Sequence, residues 1–162
     1  MDTREKILSR AGLHEVLEEH RRAGRIVVFA RGVFDLLHPG HVRHLAAARA
    51  EGDLLVVVLH SDAAARKLKG DGRPLLTERA RAVLVAALAS VDYVVVFDEA
   101  DVMPIIREFQ PDVLAAGSEA TPDDPCGGEL AAHGIRVAST GIESTDSTTA
   151  LIARVRKGRN GN

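Results

Sequence analysis

The sequence predicts an α/β fold, a parallel sheet of five strands with helices on both faces. Three observations carry this expectation. Apolar, β-branched runs recur along the chain, each short enough for a strand buried on both faces. Longer stretches of helical periodicity lie between them. Gly, Pro and Asp gather at the changeovers, where a strand must turn. Strands that alternate with helices in this way imply a parallel sheet.

The elements follow in order. Residues 2–23 carry Ile7, Leu8, Leu13, Val16 and Leu17 among charges, an amphipathic helical stretch with a break expected near Gly12 and an end at Gly24. Ile26 to Ala30 is the first strand, and Val42 to Ala50 the helix after it. Leu54 to Leu59 is the second strand, closed by His60-Ser61-Asp62. Ser61 or Asp62 suits the N-cap of a short helix through Lys67. The loop Lys69-Gly-Asp-Gly-Arg-Pro74 follows, then a helix over Thr77 to Leu88 with Thr77 as cap. Tyr93 to Phe97 is the third strand and Val102 to Phe109 a helix. Val113 to Ala116 is the fourth strand and ends at Gly117. Asp123 to His133 reads as helix, Ile135 to Ala138 as the fifth strand, Ser147 to Lys157 as a closing helix, and 158–162 as a frayed tail. The expected strand order is 3-2-1-4-5, a Rossmann-like, doubly wound sandwich formed as one domain over 1–162, with 1–24 as a helical segment at its start.

Composition narrows the function. The chain has 162 residues, 46% of them apolar and 27% charged, which suits one globular domain with a full core. A net charge of -2 with mixed signs argues against a nucleic-acid partner. The five aromatics (Phe29, Phe34, Tyr93, Phe97 and Phe109) fall mostly in or beside apolar runs and read as core. Cys126 is the only cysteine, so no internal disulfide is possible. The first residues are charged rather than apolar, and no apolar run approaches the ~20 residues of a membrane span. A cytoplasmic enzyme without a membrane partner is the expectation.

The loop after the first strand is where chemistry is expected, because ligands of an open α/β sheet bind outside the carboxyl ends of strands at a switch point. With order 3-2-1-4-5 that point lies between strands 1 and 4. Gly32 lets backbone approach a phosphate with no Cβ in the way. Pro39 suits a first helical turn, and Gly40 allows a further close approach. The helix start near His41 offers unpaired N–H groups and a positive dipole end. His38 and His41 can point to one side of it and donate to phosphate oxygens. A purely structural role for this pair is the plain alternative. Zinc held by His38, His41 and His44 is another, but such a site wants Cys or carboxylate partners converging with the histidines.

Two more stretches carry phosphate-binding chemistry. Lys67 and Lys69 flank a loop with Gly70, Gly72, Arg73 and Pro74, which can close over an anion or can be a solvated surface loop. Ser147, Thr148 and Thr149 precede an apolar-periodic run, so one of them serves as a helix cap while together they present hydroxyls and N–H groups to an anion. Arg79 and Arg81 follow the loop on a helix, facing either phosphates or solvent.

Gly32-Val33-Phe34-Asp35-Leu36-Leu37-His38-Pro39-Gly40-His41 resembles the signature of the cytidylyltransferase-like nucleotidyltransferases, Gly-x-Phe-Asp-x-x-His-x-Gly-His. The resemblance covers roughly residues 6 to 157. Lys67-Leu-Lys-Gly-x-x-Arg-Pro74, Ala86 to Asp92 and Pro111-Asp112-Val113-Leu114 look like the ADP-heptose synthase adenylyltransferases within that family. It implies that an acceptor phosphate attacks the α-phosphorus of a nucleoside triphosphate directly, with pyrophosphate leaving and no covalent intermediate. In those enzymes the acceptor is D-glycero-D-manno-heptose 1-phosphate, the nucleotide is ATP, and Mg2+ is bound mainly through the nucleotide. The resemblance implies catalytic roles for His38, His41 and Lys69. It implies nucleotide contacts from Gly32, Val33, Phe34, Asp35, Gly40, Gly117, Glu119, Ser147, Thr148 and Thr149, and substrate contacts from Arg31, Asp62, Lys67 and Arg73. A homodimer is usual in that family. Glycerol 3-phosphate cytidylyltransferases share the signature but resemble the rest of the chain less.

The departures fall on one side of the site. Arg31 stands where the heptose enzymes usually carry Asn, and His60 where strand 2 usually ends in Asn. Ala116-Gly117-Ser118-Glu119 replaces Lys-Gly-Gly-Asp, so a lysine is lost while Glu119 stands for the aspartate. Thr145 and Asp146 precede the hydroxyl run in place of an aromatic or apolar residue and Gly. The triphosphate side is intact and the acceptor side is altered. An acceptor phosphate other than the usual heptose, or a non-catalytic nucleotide-binding protein on the same fold, are the competing expectations.

Overall fold

The computed structural model describes residues 2–117 and 125–140. The elements are β1 (Ile7–Leu8), α1 (Arg10–Arg22), β2 (Val27–Gly32), α2 (Pro39–Arg49), β3 (Leu54–His60), α3 (Asp62–Lys69), α4 (Glu78–Ala86), β4 (Tyr93–Phe97), α5 (Met103–Phe109), β5 (Val113–Ala116), α6 (Pro125–Ala132) and β6 (Arg136–Ser139). The sheet is parallel and six-stranded, in the order β1-β4-β3-β2-β5-β6. The expected order 3-2-1-4-5 survives within it as β4-β3-β2-β5-β6. The expected closing helix at Ser147 to Lys157 and the tail 158–162 lie outside the described residues.

The sixth strand corrects the expectation of five. Ile7 and Leu8 pair with Val94 and Val95 at the sheet edge instead of opening the helix. Lys6 fixes them there: its carbonyl accepts from Val94 N at 2.8 Å, and its Nζ donates to Val91 O at 2.7 Å. Two residues are too few to show a period, so the strand hides inside a longer amphipathic pattern. Ser9 Oγ then accepts from Gly12 N at 3.1 Å, which starts α1 and leaves Gly12 in its first turn rather than at a break.

The unbroken apolar strands are explained by burial on both faces. Every residue of β3 is buried. Val27, Phe29, Leu54, Val56, Val58 and Leu114 pack on one side with Leu13 and Leu17 of α1 and Ile105, Ile106 and Phe109 of α5. Val28, Ala30, Leu55, Val57, Leu59 and Ala115 pack on the other with Leu45 and Ala48 of α2 and Ala82, Val85 and Ala86 of α4. Successive side chains of a strand point to opposite faces, so one run feeds both layers.

Aspartates fix where strands begin. Asp53 accepts from Ile26 N, Asp112 from Val27 N and Asp92 from Leu55 N, each at 2.8 Å. Each satisfies an N–H at the start of a neighbouring strand. At the opposite end β2 diverges from its neighbours: β3 and β4 lie to one side of it, β5 and β6 to the other. The switch point is therefore the space beyond Gly32. Among the described residues no helix is long and apolar enough to cross a membrane.

Candidate active site

Gly32 ends β2, and the chain turns at Phe34, whose φ of 49° is left-handed. That φ is uncommon for a residue with a side chain. It folds the Phe34 ring back over Gly32, where an added Cβ would lie 2.6 Å from ring atom Cε2. The ring is buried and meets His41 edge-on, with centroids 5.0 Å apart. So the glycine of the signature makes room for the phenylalanine of the signature, and the phenylalanine supports a histidine.

His38 adopts an extended backbone at the cap position of α2, with Pro39 in the first turn. Its ring stacks on that of His41, with centroids 3.8 Å apart and planes 27° from parallel. Gly40 is buried between them in sequence. The N–H groups of a first helical turn have no partner inside the helix, so Gly40 and His41 present theirs at the end of β2. Nδ1 of His41 is buried with no hydrogen-bond partner among the described residues. Burial pushes the His41 pKa down to about 4, and the neighbouring His38 and His44 rings add to the effect. A hydrogen bond from the ring to the Leu36 backbone opposes this shift without cancelling it, so the ring is neutral near neutral pH and in the free protein gives its one N–H to Leu36. Among the described residues no three His, Cys, Asp or Glu side chains are placed to hold a metal ion together.

His44 turns away from this pair. Thr140 Oγ1 donates its one hydrogen to Ala116 O at 2.9 Å, so it accepts from His44 Nδ1 at 2.6 Å. The bond ties α2 to the ends of β5 and β6. Burial holds the His44 pKa below its ordinary value.

Asp35, expected at the nucleotide, and Arg73, expected at the substrate, pair with each other at 2.7 Å. Asp35 also accepts from Leu75 N at 2.7 Å and Leu76 N at 3.1 Å. Burial alone would raise its pKa, but the Leu76 amide, the Arg73 guanidinium and the Leu75 amide outweigh it and hold the carboxylate ionised. In the free protein the two residues shape the loop that runs back from α3. Gly70 and Gly72 in that loop have φ of 87° and 80°, which side chains rarely adopt.

Arg81 corrects the expectation of a residue facing phosphates or solvent. It is wholly buried. Its guanidinium donates to Val33 O at 2.6 Å, His60 O at 2.8 Å, Leu76 O at 3.0 Å and Asp62 Oδ1 at 2.8 Å. One side chain thus fastens the ends of β2 and β3, the start of α3 and the returning loop. Asp62, expected at the substrate, gives its carboxylate to Arg81, and its own N–H donates to Glu78 Oε2 at 2.8 Å. The sequence held a signal for this: Arg81 lies on the same helix face as Ala82, Val85 and Ala86.

Lys67 and Lys69 lie exposed in the last turn of α3, just before the glycine loop. Arg31 is exposed near the end of β2, level with Val58 of β3. His60 ends β3 and is 3% exposed, with Nδ1 3.2 Å from Glu99 O. Burial lowers its pKa. The Glu99 carbonyl opposes that, and the charges of Arg31, Arg81 and Lys69 reinforce it. Gly117 stands exposed at the end of β5, open on its Cβ side. Glu119, Asp146, Ser147, Thr148 and Thr149 lie outside the described residues.

The structure therefore gathers Gly32, Phe34, His38, Gly40 and His41 beyond β2, beside a cationic margin of Arg31, Lys67 and Lys69. His44, His60, Arg81 and Thr140 support it and were not assigned to it from sequence. The Cytidylyltransferase-like family model matches residues 29–150. The chain is 48% identical over 151 residues to the bifunctional protein HldE of Syntrophotalea carbinolica, covering 93% of this chain and 31% of that protein. It is 46% identical over 157 residues to bifunctional protein HldE of Rhodopseudomonas palustris (strain TIE-1), covering 96% of this chain and 32% of that one. The chain thus spans about a third of the length of these curated relatives. A solved structure, the lipopolysaccharide core biosynthesis protein from Thermoplasma volcanium GSS1, matches with a TM-score of 0.62 and 34% identity, over 72% of this chain and 94% of that one.

Proposed function

Because the chain belongs to the cytidylyltransferase-like family of nucleotidyltransferases, we propose that it transfers a nucleoside monophosphate, AMP from ATP, to a sugar phosphate resembling heptose 1-phosphate. An oxygen of the acceptor phosphate attacks the α-phosphorus in line. A new P–O bond forms, the bond from the α-phosphorus to the bridging oxygen breaks, and pyrophosphate leaves. No side chain is phosphorylated.

The observation that supports this most is the stacked His38–His41 pair at the start of α2, beyond the carboxyl end of β2. Two imidazoles, two N–H groups and a helix N-terminus face the same space. Each is a donor suited to charge that develops on phosphate oxygens. Lys69 and Lys67 bring positive charge from the end of α3. By their likeness to the family's sequence, Ser147, Thr148 and Thr149 are assigned to the β- and γ-phosphates and Gly117 and Glu119 to the nucleotide. Among the described residues Arg31, Lys67 and Lys69 form no ion pair, and such cations suit phosphate oxygens rather than a divalent cation. Mg2+, bound through the triphosphate, would supply positive charge that offsets charge on the leaving pyrophosphate. The same reading takes the protein as a cytoplasmic homodimer without nucleic-acid or membrane partners.

The test is a pyrophosphate-release screen that crosses the nucleoside triphosphates with heptose 1-phosphate, hexose 1-phosphates and glycerol 3-phosphate. Release with ATP and a sugar 1-phosphate is expected. Release only with CTP and glycerol 3-phosphate would move the assignment to a cytidylyltransferase. Tight nucleotide binding with no release for any pair would make the protein a non-catalytic nucleotide binder.

A further inference from the structure

Beside the phosphate-binding loop lies a buried histidine that the transfer reaction does not use. His60 is 3% exposed at the end of β3. Its Nδ1 lies 3.2 Å from Glu99 O, and a carbonyl oxygen only accepts, so Nδ1 carries the hydrogen. In the neutral ring Nε2 then keeps its lone pair. The side-chain hydrogen bond found for the ring among the described residues is the one through Nδ1.

The charges around this ring are arranged with one sign free. Arg31 of β2 is level with Val58, two residues before His60 and so on the same face of the sheet, Arg81 of α4 donates to His60 O at 2.8 Å, and Lys69 ends the helix that begins at Asp62. Arg81 is committed to three carbonyls and Asp62. The Glu99 carboxylate is taken by Arg10. Arg31 and Lys69 form no ion pair among the described residues. Among the described residues the place thus offers two cations without an ion pair and one nitrogen with a lone pair. A phosphate suits the cations, since a guanidinium can hold two of its oxygens at once. A phosphate dianion has no hydrogen to give the nitrogen, whereas a hydroxyl has.

Resting on the proposed transfer reaction, we propose that Arg31 and His60 together form the acceptor-recognition site, Arg31 with Lys69 holding the acceptor phosphate and His60 Nε2 accepting from a hydroxyl of the same molecule. The ligand class is a phosphorylated polyol or sugar, not a bare phosphate. Both residues stand where the sequence departs from the heptose enzymes, so the pair sets which acceptor is taken.

Imidazole 15N resonances of the whole chain, with His60 identified by its loss in His60→Gln, test this without turnover. The probes are mannose 1-phosphate, D-glycero-D-manno-heptose 1-phosphate and glycerol 3-phosphate, each against inorganic phosphate at equal concentration. At least one phosphorylated polyol is expected to move Nε2 well beyond the movement that phosphate causes, and Arg31→Asn should abolish the response. Equal movement with phosphate, or no movement with any probe, overturns the proposal. In kinetics, His60→Leu should raise the acceptor KM about two- to tenfold, the range for one lost neutral hydrogen bond, and leave the nucleotide KM unchanged. His60→Gln, which keeps an acceptor oxygen, should recover part of it, and equal rises in both KM values would also count against the role. Should the resonance respond while pyrophosphate release fails for every pair, the transfer reaction is wrong and the binding site stands. Release without any His60 response leaves the reaction standing and removes the site.

Discussion

The stacked His38–His41 pair is the residue-scale feature on which the proposed reaction depends. His38 and His41 stack closely, and a proton on either would be repelled by one on the other. His41, its pKa pushed down to about 4, contributes hydrogen bonding rather than fixed positive charge. His41→Ala removes one preorganised donor, a loss of roughly 10²–10³ in turnover. Its melting temperature should stay close enough to wild type for assay, and a folded variant with undiminished turnover would end the assignment. Arg81 belongs to the same scale but a different kind of work. Arg81→Met keeps volume and removes every donor to Val33 O, His60 O and Leu76 O. Each unsatisfied buried acceptor costs about 1–3 kcal/mol. A loss of at least roughly 3 kcal/mol is expected, read as a Tm lower by roughly 6–12 °C. A Tm within about 2 °C of wild type would mean that other donors reach those carbonyls.

Among the elements, the strand starts are governed by aspartates and the strand ends by the site. Asp112 precedes β5 yet accepts from Val27 N at the start of β2, so it aligns two strands on either side of the switch point. Asp112→Ala leaves that N–H without its acceptor, at about 1–3 kcal/mol. Asp112→Asn keeps an oxygen in place and should lose less. Denaturant unfolding of the two variants decides between the roles: equal losses would show that charge, not the hydrogen bond, is what matters there. At the far end of the sheet α2 is held by a different device, the His44–Thr140–Ala116 chain. Because that chain reaches from α2 to β5 and β6, it relates the histidine pair to the half of the sheet beyond the switch point.

For the molecule as a whole, buried histidines set the response to acid. The His41 pKa is pushed down to about 4 from an ordinary 6.5, and His44 and His60 are lowered too, in each case first by burial. A histidine whose folded pKa is depressed takes up a proton more readily unfolded. Stability from these groups is complete above the unfolded value and falls as pH drops from there toward the folded one. Asp35 and Glu108 are held below their ordinary values of 3.8 and 4.5, so their contributions fade only in stronger acid. Thermal unfolding followed from about pH 7 to about pH 4.5 should show Tm falling steadily, and His41→Gln should lessen the slope. A flat Tm across this range would mean that the histidines are already hydrated.

The strand order around β2, and with it the switch point beyond Gly32, was legible in the chain alone, because apolar runs with Gly and Pro breaks report burial and turning directly. The ten residues from Gly32 to His41 likewise identified phosphate chemistry, since donor type and spacing are local properties. What the chain alone left open was how charges are shared between distant segments. Asp35 meets Arg73, Asp62 meets Arg81 and His60 meets the Glu99 carbonyl, partners 38, 19 and 39 positions apart in the chain. Such pairings carry no period in the sequence. They arise only once the strands align and bring their ends to one edge of the sheet. The edge strand at Ile7–Leu8 was hidden for the same reason, since its hydrogen bonds and the anchoring of Lys6 exist only against β4. Residue type stated which groups were able to bind phosphate, and tertiary packing decided which of them remained free to do it.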